Sequence, residues 1–235
     1  MKKATFISSI ILFAFIFNSC NRCVDGSGKI MNSSTELKKF NEIEIDVPAN
    51  VQIRQGTKYS VDIQADENIL KRIEANVSGN TLKIKSNKCI KNFKVLDINI
   101  TTPEIKEIEL NGSGNISSSG IIKTDKLYIE INGSGKNDFS VDTKKLKITI
   151  NGSGDFVLKG ITKQLNLETN GSGNFDAFTM DCLKAYIEIN GSGNCKVKPI
   201  EKLDVEISGS GNVYYKGVPE DIEVAANGSG KLIKQ

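Results

Sequence analysis

The tetrapeptide Asn-Gly-Ser-Gly begins at Asn111, Asn132, Asn151, Asn170, Asn190 and Asn227, with a Ser-Gly-Ser-Gly variant at Ser208, so successive starts lie 18 to 21 residues apart. A fixed period near this length means one structural unit stacked on copies of itself, because a single unit of that size cannot bury its own apolar face. Such a chain builds a surface or a rod before it builds a reaction centre.

Each unit reads as strand. Counting back from the Asn, positions −1, −3 and −5 are Ile131/Ile129/Leu127, Ile150/Ile148/Leu146, Thr169/Leu167/Leu165 and Ile189/Ile187/Ala185, while −2 is Glu109, Glu130, Thr149, Glu168, Glu188 or Glu206. This period-2 alternation gives one buried and one wet face. Forward of the turn, +5 and +7 are apolar again, as in Phe156/Leu158 and Phe175/Ala177, and a second turn follows at Gly120, Gly160, Pro199 or Gly217. A flat meander would leave every apolar face on one uncovered side. Coiling the chain so that the strands of each rung face one another buries them without another domain. The expected fold is therefore all-β: a right-handed β-helix, or β-solenoid, of about seven ~19-residue rungs, stacked to roughly 30 Å.

Asn111, Asn132, Asn151, Asn170, Asn190, Ser208 and Asn227 are the expected structural turn residues. Glycine on either side of Ser lets the chain reverse through positive φ, stacked Asn side chains can form a hydrogen-bonded ladder, and the Ser at +2 suggests a parallel hydroxyl ladder. A ligand-binding edge is the rival reading of the same corner. Residues 39–104 carry alternation without the repeat and read as irregular β-rich cap coils ahead of regular repeats over 105–235, together one β-helical domain. Within the cap, Asp66–Ile73 suggests a helical turn and Ala75–Asn80 a degenerate corner. Residues 20–38, rich in Asn, Ser and Gly, read as an anchor followed by a flexible tether.

Residues 1–19 have the layout of an export signal: Lys2 and Lys3, an apolar run from Phe6 to Phe17, then Asn18-Ser19-Cys20. The run is too short to span a bilayer comfortably. Phe17-Asn18-Ser19-Cys20 resembles a loose bacterial lipobox, which makes Cys20 the expected lipidation site and the membrane the first expected partner, with the protein exported to the outer membrane on a side the sequence leaves open. Loss of Lys2 and Lys3 lowers the basic count from 31 to 29 against 28 acidic residues. A nearly neutral chain has no electrostatic footprint for nucleic acid. Cys195 falls at a core position, and Cys182 sits too far along its rung to bridge to it. Whether Cys23 and Cys89 pair stays open.

The chain has no histidine, which removes Ser/His/Asp and Cys/His catalysis and His-ligated metals. The enzymatic alternative is a carbohydrate-active β-helix of the pectate-lyase type, which needs clustered Asp with Arg or Lys. Arg22, Arg54 and Arg72 all precede the repeats, and Asp138, Asp155, Asp176 and Asp204 are read as falling at different repeat positions. The calcium-roll pattern is absent, and no cofactor is expected. The Glu row at −2 reads as a solvated face, and Tyr128 and Tyr186, three rungs apart at −4, as exposed strand formers that could stack on sugar rings. The six Asn-Gly-Ser sequons follow from turn chemistry.

The Ile-Asn-Gly-Ser-Gly units, the run Gly209-Ser210-Gly211-Asn212-Val213-Tyr214-Tyr215-Lys216-Gly217-Val218-Pro219 and the earlier Val47-Pro48-Ala49-Asn50-Val51-Gln52-Ile53-Arg54-Gln55-Gly56 resemble the head GIN domain family of auto-transporter adhesins over about residues 40–235. The resemblance implies a β-helical, envelope-exposed protein of Bacteroidetes-like bacteria and brings no catalytic residues. The expected function is thus a lipid-anchored, non-enzymatic envelope solenoid that binds carbohydrate or protein at the cell surface, with a carbohydrate-active enzyme or a purely structural envelope component as alternatives.

Overall fold

The computed structural model describes residues 23–235; the export signal and Cys20 lie outside the described residues. Strands take 71% of the described residues, which wind into a β-solenoid of about seven turns with a ~19-residue repeat. The strands Asn115–Gly133, Lys136–Gly152, Asp155–Gly171 and Phe175–Gly191 each run almost the whole of a rung and pair in parallel with the next. Register keeps Asn111, Asn132, Asn151, Asn170, Asn190, Ser208 and Asn227 in one column.

The rung has more corners than the two read from sequence. Inward residues Asn137, Phe139, Val141 and Thr143 are followed by two outward ones, Lys144 and Lys145, before Leu146, Ile148 and Ile150 resume the alternation. The strand bends there, skipping one pair at Lys144 without a change of register, and no Gly or Pro marks the place. At the intermediate turn Gly160 has φ +109, and a Cβ on it would lie 2.0 Å from the Val141 carbonyl oxygen.

The core is one column of inward side chains after another. Phe156 and Phe175 are buried register partners with ring centroids 5.5 Å apart, and Phe139 stacks on Phe156 at 5.4 Å. Asn137 interrupts the same column. It is buried; its Nδ2 donates to the Asp155 carbonyl at 3.0 Å, and its Oδ1 has no partner.

The N-terminal third corrects three expectations. Glu42–Asp46 pairs in parallel with Glu107–Asn111 on one side and Thr81–Ser86 on the other, and Asn50–Gln55 lies between Asn115–Gly133 and Leu96–Thr102. Residues 42–55 therefore form a regular rung inside the stack. The chain leaves it, builds the outermost rung, and returns at Glu107. Val47-Pro48-Ala49 replaces the Gly-rich corner there, which hid the rung from a search for the repeat. Residues 30–36, expected in a tether, form the strand Ile30–Glu36, antiparallel to Ser60–Asp66, which is antiparallel to Leu96–Thr102. Backbone pairing needs no apolar side chain, so a polar strand reads as a linker, and its polar exposed row suits an edge that must not pair further. Ala75–Asn80 is no corner: Ile73–Ser78 and Thr81–Ser86 form a hairpin across Gly79, at φ +61, and Asn80.

A short helix, Glu67–Leu70, lies within the expected helical turn and buries Ile69. Before it, the buried carboxylate of Asp66 accepts from the backbone N–H groups of Gly28, Lys94 and Val95. Burial alone would raise its pKa, but these donors hold it below the usual carboxylate value. The Cys23–Cys89 pair, left open by the sequence, is a disulfide with Cα atoms 4.5 Å apart, beside the pairing of Val24–Asp25 with Ile90–Lys91. Among the described residues no helix is long and apolar enough to cross a membrane.

Candidate functional site

The corner is built by two ladders. Asn132 Nδ2 donates to Asn111 Oδ1 at 2.9 Å, Asn151 to Asn132 at 2.7 Å, Asn170 to Asn151 at 2.9 Å and Asn190 to Asn170 at 3.0 Å, and Asn111 reaches Asp46 at 2.8 Å. The second N–H of Asn111, Asn132, Asn170 and Asn190 is accepted by the Glu two residues earlier, Glu109, Glu130, Glu168 and Glu188, at 2.8 to 3.1 Å, whereas Asn151 follows Thr149 and has no such acceptor. The Glu row thus completes the Asn ladder as well as facing water. Sequence reasoning missed this, although the constant Asn-minus-two spacing was its visible signal. The second ladder stands at +4, where Asn194 Nδ2 donates to Asn174 and Asn212 Nδ2 to Asn194, both at 3.3 Å.

The first glycine of a corner is required by φ as well as by close approach, as at Gly152, φ +152, and Gly209, φ +143, whereas the second is required by close approach alone. A Cβ on Gly173 would lie 2.0 Å from the Gly154 carbonyl oxygen and one on Gly193 1.9 Å from that of Gly173, with no positive φ at either. The seven serines are exposed, and no hydroxyl ladder joins them among the described residues. Their exposure leaves these hydroxyls open to solvent. The Ser172 backbone N–H instead donates to Gly152 at 3.1 Å.

A different face gathers more varied chemistry. Register places Glu107, Tyr128, Lys147, Asn166, Tyr186 and Asp204 in one column, and Lys126, Lys145, Gln164, Lys184 and Lys202 in another. Between the 103–106 connection and residues 124–128 lies a groove of about 900 Å³, with Tyr128, Lys126, Lys145 and Lys147 in its lining. The Tyr128 hydroxyl donates to Glu130, and Lys147 Nζ stands 5.3 Å from the ring centroid. Burial, then the Glu130 bond, pushes the Tyr128 phenol up to about 12, so it remains a donor at neutral pH. Burial and the carboxylates of Glu42, Glu109 and Glu130 raise Glu107 above its ordinary value. At the groove rim Gln55 is bonded to both the N–H and the carbonyl of Lys123, at 2.8 and 2.9 Å.

A second groove of about 640 Å³ is lined by Ile161, Leu183 and Ile200 beside Asp142, Lys163 and Asp181. Ile161 and Ile200 are half exposed.

The aspartates weighed for catalysis are dispersed, with one correction. Asp138 and Asp176 share a column, separated by Val157. Each is engaged by a lysine, Lys159 at 2.9 Å and Lys196 at 3.1 Å. Asp155 Oδ1 accepts from Asn174 in the corner ladder, and Asp204 stands beside Tyr186. No cluster of three His, Cys, Asp or Glu side chains is placed to hold a metal among the described residues. Cys182 and Cys195 are free and buried.

Residues 39–219 match the model of the family described as "Putative auto-transporter adhesin, head GIN domain". The chain belongs to that family. Among solved structures, it is similar to a "putative adhesin" from Bacteroides fragilis at 28% identity and a TM-score of 0.87, with 90% of this chain and 100% of that chain covered. It is also similar to a "putative lipid binding protein" from Parabacteroides distasonis at 25% identity and a TM-score of 0.77, covering 91% and 100%. A "putative adhesin" from Parabacteroides merdae shares the fold at 22% identity and a TM-score of 0.71, covering 90% and 98%. No curated protein matches the chain.

Proposed function

We propose, from the premise that the chain is a head GIN domain protein, that it is a lipid-anchored, non-enzymatic envelope protein that binds carbohydrate or protein at the cell surface. The observation that carries this reading is where the chemistry lies. Inward positions are filled mainly by apolar side chains from Phe40 to Val213, the stacked phenylalanines included, so nearly all the charged groups, with Tyr128 and Tyr186, stand outside in columns one rung apart. A regular array of about 4.8 Å spacing suits contact with an extended partner. The adhesin descriptions of the family and of the Bacteroides fragilis protein agree with it.

Anchoring rests on the lipobox-like Phe17-Asn18-Ser19-Cys20. Acyl chains on Cys20 would hold the protein at a membrane, each buried CH₂ contributing about 0.8 kcal/mol. The test has two arms. Wild type should partition into detergent and Cys20→Ala should not; equal partitioning rejects the anchor. Beads coated with residues 23–235 should adhere to envelope polysaccharide or matrix protein above an albumin control, and adhesion at the control level rejects the binding role.

A second reading, lipid binding, is favoured by the groove of Ile161, Leu183 and Ile200 and by the description of the Parabacteroides distasonis structure. Tritiated or fluorescent fatty acid retained by the purified protein, and released by Ile161→Lys, would support it over adhesion.

A further inference from the structure

The groove beside Tyr128 does not end at its own rim. It shares Lys147 and Asn166 with an adjoining depression of about 310 Å³ that reaches Tyr186. Tyr128, Lys147, Asn166 and Tyr186 are successive register partners, so the joined track spans three rung steps, about 14 Å. It has an aromatic ring at each end and an ammonium and an amide between them. Gln164, one column over, donates to Asn166 at 2.8 Å and holds that amide in place.

Charge is distributed unevenly along the track. Lys126 and Lys145 are register partners in adjacent rungs at its Tyr128 end, and among the described residues neither has a carboxylate within salt-bridge distance. Several other lysines of the repeats are met by a carboxylate from a nearby rung, Lys144 by Asp125, Lys159 by Asp138, Lys196 by Asp176 and Lys202 by Asp221, at 2.9 to 3.1 Å. Two stacked, unneutralised ammonium groups repel one another, and an anion placed between them would relieve that repulsion. The Tyr128 end also holds Glu104, Glu107 and Asp125, but Glu104 is paired with Lys106 and Asp125 with Lys144; the opposite end is more acidic, with Glu168, Glu188 and Asp204 around Tyr186.

We propose that this track binds an extended glycan carrying isolated carboxylates, with one uronate carboxylate between Lys126 and Lys145 and a neutral sugar ring against Tyr186. The inference rests on the surface-binding reading above and names its ligand class. The backbone of these rungs is already paired on both sides in the parallel ladder, so strand addition by a peptide has no free edge here. A uniformly anionic bilayer, or a polymer charged at every residue, would meet the Glu168, Glu188 and Asp204 carboxylates. A sparsely charged glycan meets the lysines at one point and presents hydroxyls to Asn166 and Glu188 and a ring face to Tyr186, the combination that aromatic and amide side chains recognise.

The test is calorimetric titration of residues 23–235 with xylohexaose, the same hexasaccharide bearing one glucuronate branch, polygalacturonate, and phosphatidylglycerol vesicles. The singly charged oligosaccharide should bind about tenfold more tightly than the neutral one, and added salt should narrow that gap. Lys126→Gln combined with Lys145→Gln should abolish the preference, while Tyr186→Ala should weaken both oligosaccharides alike. Unchanged circular dichroism melts would show that these exposed substitutions leave the fold intact; if the double variant unfolds, Lys126→Glu alone must reverse the preference. Equal binding of neutral and charged oligosaccharides, no binding of either, or tighter binding of polygalacturonate or vesicles overturns the proposal. Because the bead assay is independent, positive adhesion beside a negative titration rejects this ligand alone, and loss of both rejects the surface-binding reading too.

Discussion

The side-chain amide of Asn170 donates one hydrogen to Asn151 Oδ1 in the preceding rung and the other to Glu168 Oε1 two residues back, each at 2.9 Å. Its own Oδ1 accepts from Asn190 at 3.0 Å. One side chain therefore links three rungs and the outer face. Asn170→Asp keeps the acceptor and deletes both donors, facing a new carboxylate toward two oxygens. The variant should lose about 1–3 kcal/mol at pH 7. Repulsion from Glu168 raises the folded pKa of the new carboxyl above its unfolded value, so the folded state holds the proton more tightly. The deficit should therefore shrink below about pH 4 and grow as pH rises through that region. A pH-independent deficit in urea melts would contradict the ladder's role.

The corner separates its glycines from its serine. Gly173→Ala puts a methyl 2.0 Å from the Gly154 carbonyl oxygen, a backbone atom that cannot swing aside. The stack must part there, and since each rung contacts its neighbours the loss should spread along the solenoid. Ser172→Ala removes an exposed hydroxyl and should stay within about 0.5 kcal/mol of wild type. Hydrogen exchange over residues 136–191 checks both; protection lost only at the substituted corner would argue against rung coupling.

The aromatic column carries opposite outcomes at two positions of one register. Phe175→Ala should cost about 3–5 kcal/mol, because the ring is buried against Phe156 and leaves a cavity. Asn137→Leu should stabilise by about 1 kcal/mol, since it removes a buried Oδ1 that has no partner. A Leu variant less stable than wild type would mean the bond from Asn137 to the Asp155 carbonyl outweighs that penalty.

Replacing Cys23 and Cys89 together with Ser should lower stability by about 2–4 kcal/mol, as expected for a bridge closing a long loop. The same loss should follow treatment of wild type with a reductant. Limited proteolysis should then begin near Val24–Asp25 and Ile90–Lys91, which the bridge holds together. Cleavage starting in the 136–191 rungs would show that the bridge does not secure the cap.

Cys182 and Cys195 should resist iodoacetamide at pH 8 in the folded protein and react on unfolding. Burial, then the nearby Asp181, pushes the Cys182 thiol up to about 12, and burial pushes Cys195 well above its ordinary value. A raised folded pKa leaves their contribution intact below the unfolded value near 8.5, from which it is lost progressively as pH rises toward the folded value. Rapid labelling of the native protein, or a melting temperature flat from pH 8 to 11, would overturn this.

Much of this was legible in the residues. The Asn-Gly-Ser-Gly period placed the rungs, and the alternation ending at Ile189 or Ile150 placed the inward face, because in a solenoid each rung repeats the same local chemistry. Even the Glu188–Asn190 bond had a sequence signal, though only the folded rung turned that spacing into a bond. The rung at residues 42–55 was invisible as a rung, since Val47-Pro48-Ala49 turns the chain without the repeat.

What the sequence determined alone is the part set by near neighbours: strand, corner, parity and the stacking of like on like. The tertiary structure decided which distant segments are adjacent. It put Glu42–Asp46 between Thr81–Ser86 and Glu107–Asn111, bonded Cys23 to Cys89, and made Ile30–Glu36 an edge strand. It also brought the 103–106 connection beside Tyr128, where both line one groove. Those choices depend on which segments far apart in the chain pair with one another; the side-chain period fixes the face each strand buries but does not name its partner.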